Sequence, residues 1–562
     1  MLELLSKKHI VAKEGFNRWL IAPAALGIHL CIGSVYAWSL FNPYLIKRLG
    51  VVTSAADDWS FDNVVIIFSI AIIFLGLSAA IAGKWLEKVG PRMVGVVAAF
   101  CWGGGFLVGG LGITLGNIWL LYFGYGVIGG VGLGLGYVSP VSTLIRWFPD
   151  RRGMATGIAI MGFGGGAMLA KFMIDPLVQS FYKAPEYLGL ADSVSMVTEA
   201  GRRMVEVAGN MTEVIVIGAN DISAMPVAGP EGVYVVGTGS VGVAETFFCL
   251  GVVYFIVMMI SAFSYRIPAE GWTPEGWQPP PEDEQHAMIT HHDVDIDEAL
   301  KTPQFYQLWL MLCFNVTAGI GVISIAKTMM TEIFGTTLPH IVDPAFAATY
   351  VFMISLFNMV GRFFWASTSD YIGRKMTYMI FFGLGILLYM SIPYAAEQVT
   401  ANPAMIWLVM FYSATMIIFT MYGGAFATIP AYLADIFGTK FVGGIHGRLL
   451  TAWSFAGYLG PKLISSLREN AVTKAIDDLV GKIDPAVFQQ TFGDSVANLN
   501  ELVLAKTVTI SKLMEIAPAG TLDPTSSLYN ETMYIMAALL FIALIANIFM
   551  RPVNAKHHMA EN

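Results

Sequence analysis

The sequence predicts an all-α membrane protein: twelve transmembrane helices in two pseudo-symmetric six-helix lobes, with two external insertions. Three observations lead there. Of 562 residues, 56% are hydrophobic and only 13% charged, and the mean hydropathy is +0.64. A soluble domain carries about a quarter of its residues as charge, and half that density cannot cover a water-facing surface. The apolar residues also fall in blocks of about twenty, the length that crosses a bilayer. Finally, the two halves repeat each other weakly across a polar linker.

The expected spans of the first half are 19–45, 64–86, 93–111, 118–145, 154–174 and 244–265. Those of the second are 306–325, 346–368, 376–395, 405–433, 449–467 and 532–550. Residues 1–177 and 244–265 then form one lobe, and 306–468 with 532–550 the other. Residues 266–305 form a linker whose Pro279, Pro280, Pro281, Glu282, Asp283 and Glu284 cannot bury a core. A tail follows at 551–562.

Basic residues collect in alternate loops. They are Lys7, Lys8 and Lys13; Lys84, Lys88 and Arg92; Arg146, Arg151 and Arg152; Arg374 and Lys375; Lys440 and Arg448; and Arg551 with Lys556. The positive-inside rule makes these loops and both termini cytoplasmic, in a cell inner membrane. No signal-peptide pattern precedes the first span, which is expected to be retained. All four cysteines, Cys31, Cys101, Cys249 and Cys313, lie inside apolar spans, so neither a disulfide framework nor a metal site is expected.

The repeat is visible in short stretches. Gly83, Glu87, Gly90 and Arg92 follow the second span, and Asp370, Gly373 and Arg374 follow the eighth with acid, glycine and base in matching places. Thr156, Gly162 and Phe163 match Thr451, Gly457 and Tyr458 at equal offsets. Related halves joined by a linker suit a carrier with a site between the lobes. Residues 178–243 and 469–531 are too polar to be spans, occupy equivalent places in the repeat and are expected outside. The first reads as an amphipathic helix through Val194, Val197, Met204 and Val205, then strands at 214–217 and 233–236. The second reads as helical, from Val496, Leu499, Val503, Ile510 and Leu513. They are candidates to contact each other or a partner protein.

Several residues could carry chemistry. Arg362 sits in the middle of the eighth span, where an arginine is disfavoured by roughly 2.5–3.5 kcal/mol and so faces a cavity or a partner. Its planar fork suits a carboxylate; the alternative is an internal ion pair, although no acid is evident in the centre of another span. Lys171, Lys327 and Lys462 lie toward span ends, where they either snorkel or form a cationic entrance. His29, deep in the first span, is either a proton-coupling residue or a neutral hydrogen-bonded one. Gly126, Gly130 and Gly134, and Gly162 with Gly166, allow close helix packing or sliding. His286, His291, His292 and Asp293 read as a solvated linker tract. Nucleotide-binding glycine motifs and nucleophile–base pairs are missing, so neither an enzyme, nor a cofactor, nor nucleic-acid binding is expected.

These residues resemble the major facilitator superfamily and, within it, the oxalate/formate antiporter family. The superfamily loop motif fits Gly83, Glu87, Gly90 and Arg92, with glutamate for the usual aspartate; these residues with Asp370, Gly373 and Arg374 are expected to be a cytoplasmic gating motif. More specific are Asn17-Arg-Trp, Tyr36-Ala-Trp38, Arg146-Trp-Phe-Pro-Asp-Arg-Arg-Gly153, Thr302-Pro-Gln-Phe305 and Ser369-Asp-Tyr-Ile-Gly-Arg374. The likeness covers the spans and neither insertion. It implies alternating access and an aromatic-lined site for small carboxylates. Arg362 falls at the family's substrate arginine; Tyr36, Tyr137, Phe163, Tyr422 and Phe426 fall at aromatic cavity positions. Oxalate carriers of the family have a second cation, a lysine, where Trp453 stands here, which suits a monocarboxylate such as lactate, pyruvate or formate. The expected activity is antiport or proton symport of such anions across the lipid bilayer. An oxalate:formate exchanger is the alternative substrate reading, and a non-transporting sensor using the insertions the alternative of another class.

Overall fold

The computed structural model describes residues 3–199, 202–217, 229–277, 289–290, 292–492, 495–504, 508 and 510–559. Linker residues 279–284, His286 and His291 lie outside them. Eleven described helices are long and apolar enough to cross a membrane.

Helix α1 (Ile21–Gly33) tightens into 3₁₀ turns at Ser34–Leu40. Helix α2 (Phe61–Val89) starts under a Ser60 cap and ends at Gly90, and α3 is Pro91–Thr114. A turn at Ile118–Leu121 passes through a π-helical stretch, Tyr122–Gly129, into α4 (Gly130–Trp147), and α5 is Arg152–Phe181. Strands β1 (Tyr187–Gly189), β2 (Val197–Glu199), β3 (Arg202–Val207), β4 (Asn210–Ile217) and β5 (Gly232–Val235) come next, then α6 (Val243–Ser264). The linker carries α7 (Ile296–Ala299). The second half holds α8 (Pro303–Phe334), α9 (Pro344–Ile372), α10 (Arg374–Ala401) and α11 (Met405–Phe437). It continues with α12 (Val442–Leu449), α13 (Thr451–Val480), α14 (Pro485–Phe492), α15 (Leu499–Leu504), α16 (Ile510–Ile516) and α17 (Asn530–Ile548). Helix α13, where the eleventh span was expected, is not among the eleven; it runs past Leu467 through Arg468, Glu469, Lys474, Asp477 and Asp478.

The chain divides into two compact units. One comprises Met1–Thr302, Pro430–Ser454 and Pro552–Asn562; the other comprises Pro303–Ile429 and Phe455–Arg551. The first therefore takes in the end of α11, all of α12 and the start of α13.

The membrane part is helical throughout, whereas the first insertion is a five-stranded antiparallel sheet in the order β1-β5-β4-β3-β2. Val214, Val233 and Val235 pack with Val205 on one face, while Ile215, Ile217 and Tyr234 pack with Val52 and Ala55 on the other. Both faces are covered, which accounts for runs of consecutive apolar residues without alternation. The helix expected through Val194–Val205 is not there. Val197 pairs with Met204 across β2 and β3, so their spacing reflects antiparallel pairing rather than a helical turn. The second insertion is helical, with Phe488 and Leu513 fully buried.

The repeat extends to backbone detail. Gly90 and Gly373 take the same left-handed φ, +86° and +82°, and each donates its N–H four residues back, to Leu86 and Ser369. Only glycine adopts this readily, and it turns α2 into α3 and α9 into α10. The Thr156 hydroxyl donates to Gly153 O and that of Thr451 to Arg448 O, both three residues back.

Candidate functional site

In the first unit, glycines decide where the aromatic residues meet. A Cβ on Gly33 would overlap the Phe163 carbonyl, and one on Gly166 would stand 2.5 Å from Leu30 O. Helices α1 and α5 therefore touch backbone to backbone, the close approach that small residues permit. This sets Phe163 edge-on to Tyr36, with ring centroids 5.1 Å apart, and the 3₁₀ turns after Gly33 carry Tyr36. Phe163 also lies 5.5 Å from Tyr137 and 5.3 Å from Trp453, and Tyr137 and Trp453 are 5.3 Å apart. The structure thus brings together Tyr36, Tyr137, Phe163 and Trp453, the last three fully buried. His29 is buried as well, edge-on to Tyr137 at 5.3 Å. Gly126, Gly130 and Gly134 pack on α2, against Ile70, Ala71 and Leu75.

A second glycine contact joins α2 to α12 and the start of α13. A Cβ on Gly83 would stand 2.5 Å from Gly444 Cα; one on Gly447 would overlap Ala79 O, and one on Gly76 would overlap Ser454 Oγ. The Ser454 hydroxyl donates to Ile73 O at 2.9 Å. Around this seam, Glu87 pairs with Arg146 and Arg152 with Asp435. From the linker, Asp297 accepts from both Lys84 (2.6 Å) and Arg448 (3.1 Å), and Ile296 covers Gly444. Arg92 joins no acid among the described residues; it donates to Leu4 O, Phe263 O and Tyr265 O, closing the end of α6. The motif residues Arg18 and Asp150 form a two-pronged pair at 2.6 and 3.0 Å.

In the second unit, Arg362 is completely buried on α9. Its Nε donates to Asn358 Oδ1 at 2.9 Å, and its guanidinium carbon stands 5.5 Å from the Phe426 ring centre. Phe426 lies 5.3 Å from Tyr422, whose ring occupies the space that a Cβ on Gly319 of α8 would need. Glycines again set the geometry. A Cβ on Gly361 would overlap Thr420 O, one on Gly423 would stand 2.7 Å from Asn358 Oδ1, and one on Gly424 would stand 2.6 Å from Trp365 Cβ. Helices α9 and α11 are thereby locked together around the arginine. At the end of α9, Arg374 pairs with Asp370 and donates to the Ser369 hydroxyl, each at 2.6 Å. Lys171 pairs with Asp175 one turn on, Lys462 is exposed, and the Lys327 side chain lies outside the described residues.

Asn358, His446, Asp297 and Asp435 escaped the sequence reading. Asn358 stands one turn before Arg362, a spacing that places both on one helix face. His446 lies within Gly443-Gly444-Ile-His-Gly447, a stretch read only as a basic turn.

A family model described as the Major Facilitator Superfamily matches residues 21–178 and 222–461. The chain is 24% identical to the oxalate:formate antiporter of Oxalobacter formigenes, over 81% of this chain and 86% of that protein. It is 22% identical to apicoplast pyruvate carrier 1 of Toxoplasma gondii, over 84% and 86%. Among solved structures, the Escherichia coli fucose:proton symporter superimposes with a TM-score of 0.53 at 12% identity, over 94% and 98%.

Proposed function

Since the chain belongs to the major facilitator superfamily, we propose that it is a secondary transporter of small carboxylate anions working by alternating access. The observation that carries this reading is Arg362: a fully buried cation in the middle of a transmembrane helix, held by a neutral amide and an aromatic face. A buried guanidinium is stabilised by an anion that accepts its fork, and a carboxylate has that shape. Tyr422 and Phe426 belong to the same site, and Tyr36, Tyr137, Phe163 and Trp453 to the substrate path. Similarity to an oxalate:formate antiporter and to a pyruvate carrier supports carboxylates as the class. By resemblance Trp453 stands where oxalate carriers of the family have a lysine, which favours lactate, pyruvate or formate over a dianion. Glu87, Arg146, Asp370 and Arg374 act as clamps at the cytoplasmic ends of their helices, both termini are cytoplasmic, and both insertions are external.

Purified protein in liposomes tests the proposal directly, by uptake of labelled pyruvate, lactate, formate and oxalate. Arg362→Gln should abolish uptake with insertion intact, and Arg362→Lys should restore only part of it, because the ammonium lacks the two-pronged geometry. Normal transport by Arg362→Gln would refute the assignment.

A further inference from the structure

His446 lies in the middle of α12 with 1% of its surface exposed, and neither ring nitrogen has a hydrogen-bond partner among the described residues. A neutral imidazole offers one donor and one acceptor, and burying both unmet is unfavourable. A residue kept only to fill that space would be apolar. The ring lies against Tyr137, 5.8 Å between centroids, and Tyr137 in turn holds His29, Phe163 and Trp453. Helix α12 packs on α2, α4 and α7. The charged and titratable groups near it are Lys84 and Glu87 on α2, Arg146 and Tyr137 on α4, and Asp297 and Glu298 on α7, with Arg448 on α12 itself; Lys88 of α2 is exposed. The charged ones are engaged with one another or nearby: Lys84 and Arg448 with Asp297, Glu87 with Arg146, and Glu298 with Lys301 and His557. Burial pushes the His446 pKa well below the ordinary histidine value, so the ring is neutral while the seam is closed.

We infer that His446 is the proton-binding residue of a carboxylate–proton symport: it takes up one proton when α2 and α12 part, keeps it through closure while a carboxylate is bound, and releases it together with that carboxylate on the other side of the membrane. The inference rests on the carboxylate-carrier reading above and adds the coupling ion to it. Parting the glycine seam exposes the ring to water, where it regains an ordinary pKa near ~6.5. Closure over an imidazolium is disfavoured unless the proton leaves or an anion accompanies it. The protonated seam can therefore close only with a carboxylate bound, the neutral seam closes empty, and Tyr137 links that step to the aromatic residues of the substrate path.

Vesicles with a pH-sensitive dye inside, given pyruvate outside, read the coupling. The wild type should acidify the lumen beyond protein-free vesicles, and its uptake should rise at least threefold from pH 7.5 to 5.5. His446→Gln should lose both the acidification and the pH dependence while keeping pyruvate–pyruvate exchange within about twofold of the wild type. Acidification at the wild-type level in His446→Gln would overturn the inference. So would loss of exchange in both His446→Gln and His446→Phe, which marks a structural role. A readout free of substrate separates this from failure of the carrier reading. With the four native cysteines replaced by alanine, the labelling rate of Ser454→Cys, divided by that of a free thiol such as glutathione at the same pH to remove the pH dependence of the thiolate, should rise about tenfold between pH 7.5 and 5.5, as a proton holds the seam open. It should stay flat when His446→Gln is added. If wild-type vesicles take up no carboxylate, the functional reading fails; if labelling is flat with His446 present, the proton-binding role fails.

Discussion

Replacing Gly423 with alanine tests how Arg362 is held. The added methyl would sit 2.7 Å from Asn358 Oδ1 and overlap the Asn358 carbonyl oxygen. Carbon and oxygen in contact stand about 3.3 Å apart or more, so the amide must retreat by roughly 0.6 Å. The Asn358–Arg362 hydrogen bond is 2.9 Å long and does not survive that displacement unless α9 moves as a body. Crowding of this kind destabilises by about 1–3 kcal/mol, offset by about 1 kcal/mol from the better helix propensity of alanine. Because the nearest atom is a backbone carbonyl oxygen, 2.2 Å away, crowding outweighs that offset and folding stability should fall by about 1–2 kcal/mol. A hydrogen bond to a charged group contributes about 1.5–3 kcal/mol. If orienting the guanidinium is what that bond does, pyruvate should bind roughly 10- to 150-fold more weakly. Equilibrium dialysis in detergent gives the affinity and thermal unfolding gives the stability. Gly383→Ala is the control, since no atom lies within 4 Å of its Cβ. Unchanged pyruvate affinity in Gly423→Ala, with stability equal to that of Gly383→Ala, would show that the glycine contact does not position Arg362.

Three further outcomes are expected. Lactate, pyruvate and formate should compete for uptake far better than oxalate or malonate, because one fixed cation leaves a second carboxylate unpaired, about 3–5 kcal/mol unfavourable in a buried site; oxalate winning by tenfold would reject this. Cysteines at Asn210 and Asn500, both exposed, should react with an impermeant reagent from outside, and labelling only from the cytoplasmic side would invert the topology. The hydrogen bond from Lys84, and after it the charges on Lys84 and Arg448, hold the Asp297 carboxyl below its usual range. A lowered carboxyl pKa contributes stability above its unfolded value and loses it as pH falls through the folded one. The linker strap should thus be fully in place at pH 7 and loosen only near or below pH ~4. Asp297→Asn should speed hydrogen exchange across 289–302 at neutral pH, and an unchanged rate would show that the strap does not depend on this carboxylate.

What the sequence made legible was what a bilayer enforces. Apolar length reflects a large free-energy penalty that leaves a plain mark on composition. The insertions are not under that constraint. Val197 and Met204 could stand on a helix face or on paired strands, and only the partner strand decides. Asn358 and His446 were illegible for another reason. Their meaning lies in what they do or do not touch: Asn358 holds a guanidinium one turn away, and His446 is buried without a hydrogen-bond partner among the described residues. Even the glycines were only half readable. Their spacing announced close packing, but not that Gly33 and Gly166 would set Phe163 against Tyr36, or that Gly423 would abut Asn358.

The repeat shows how one backbone comes to serve two purposes. The offset that pairs Glu87 with Asp370 and Gly90 with Gly373 also pairs Ala79 with Arg362. Both residues are fully buried on the helix that ends at the matching glycine. At Ala79 the small side chain lets the carbonyl meet Gly447 backbone to backbone. At Arg362 the neighbouring Gly361 makes the same kind of contact, with Thr420, and leaves the arginine to be held by Asn358 and Phe426. A symmetric carrier would need either two buried cations or none. On the proposed carrier reading, placing the charge at one of the two matching positions and the close contact at the other separates holding an anion from moving the helices around it. His446, whose own helix supplies Gly447, stands at that close contact.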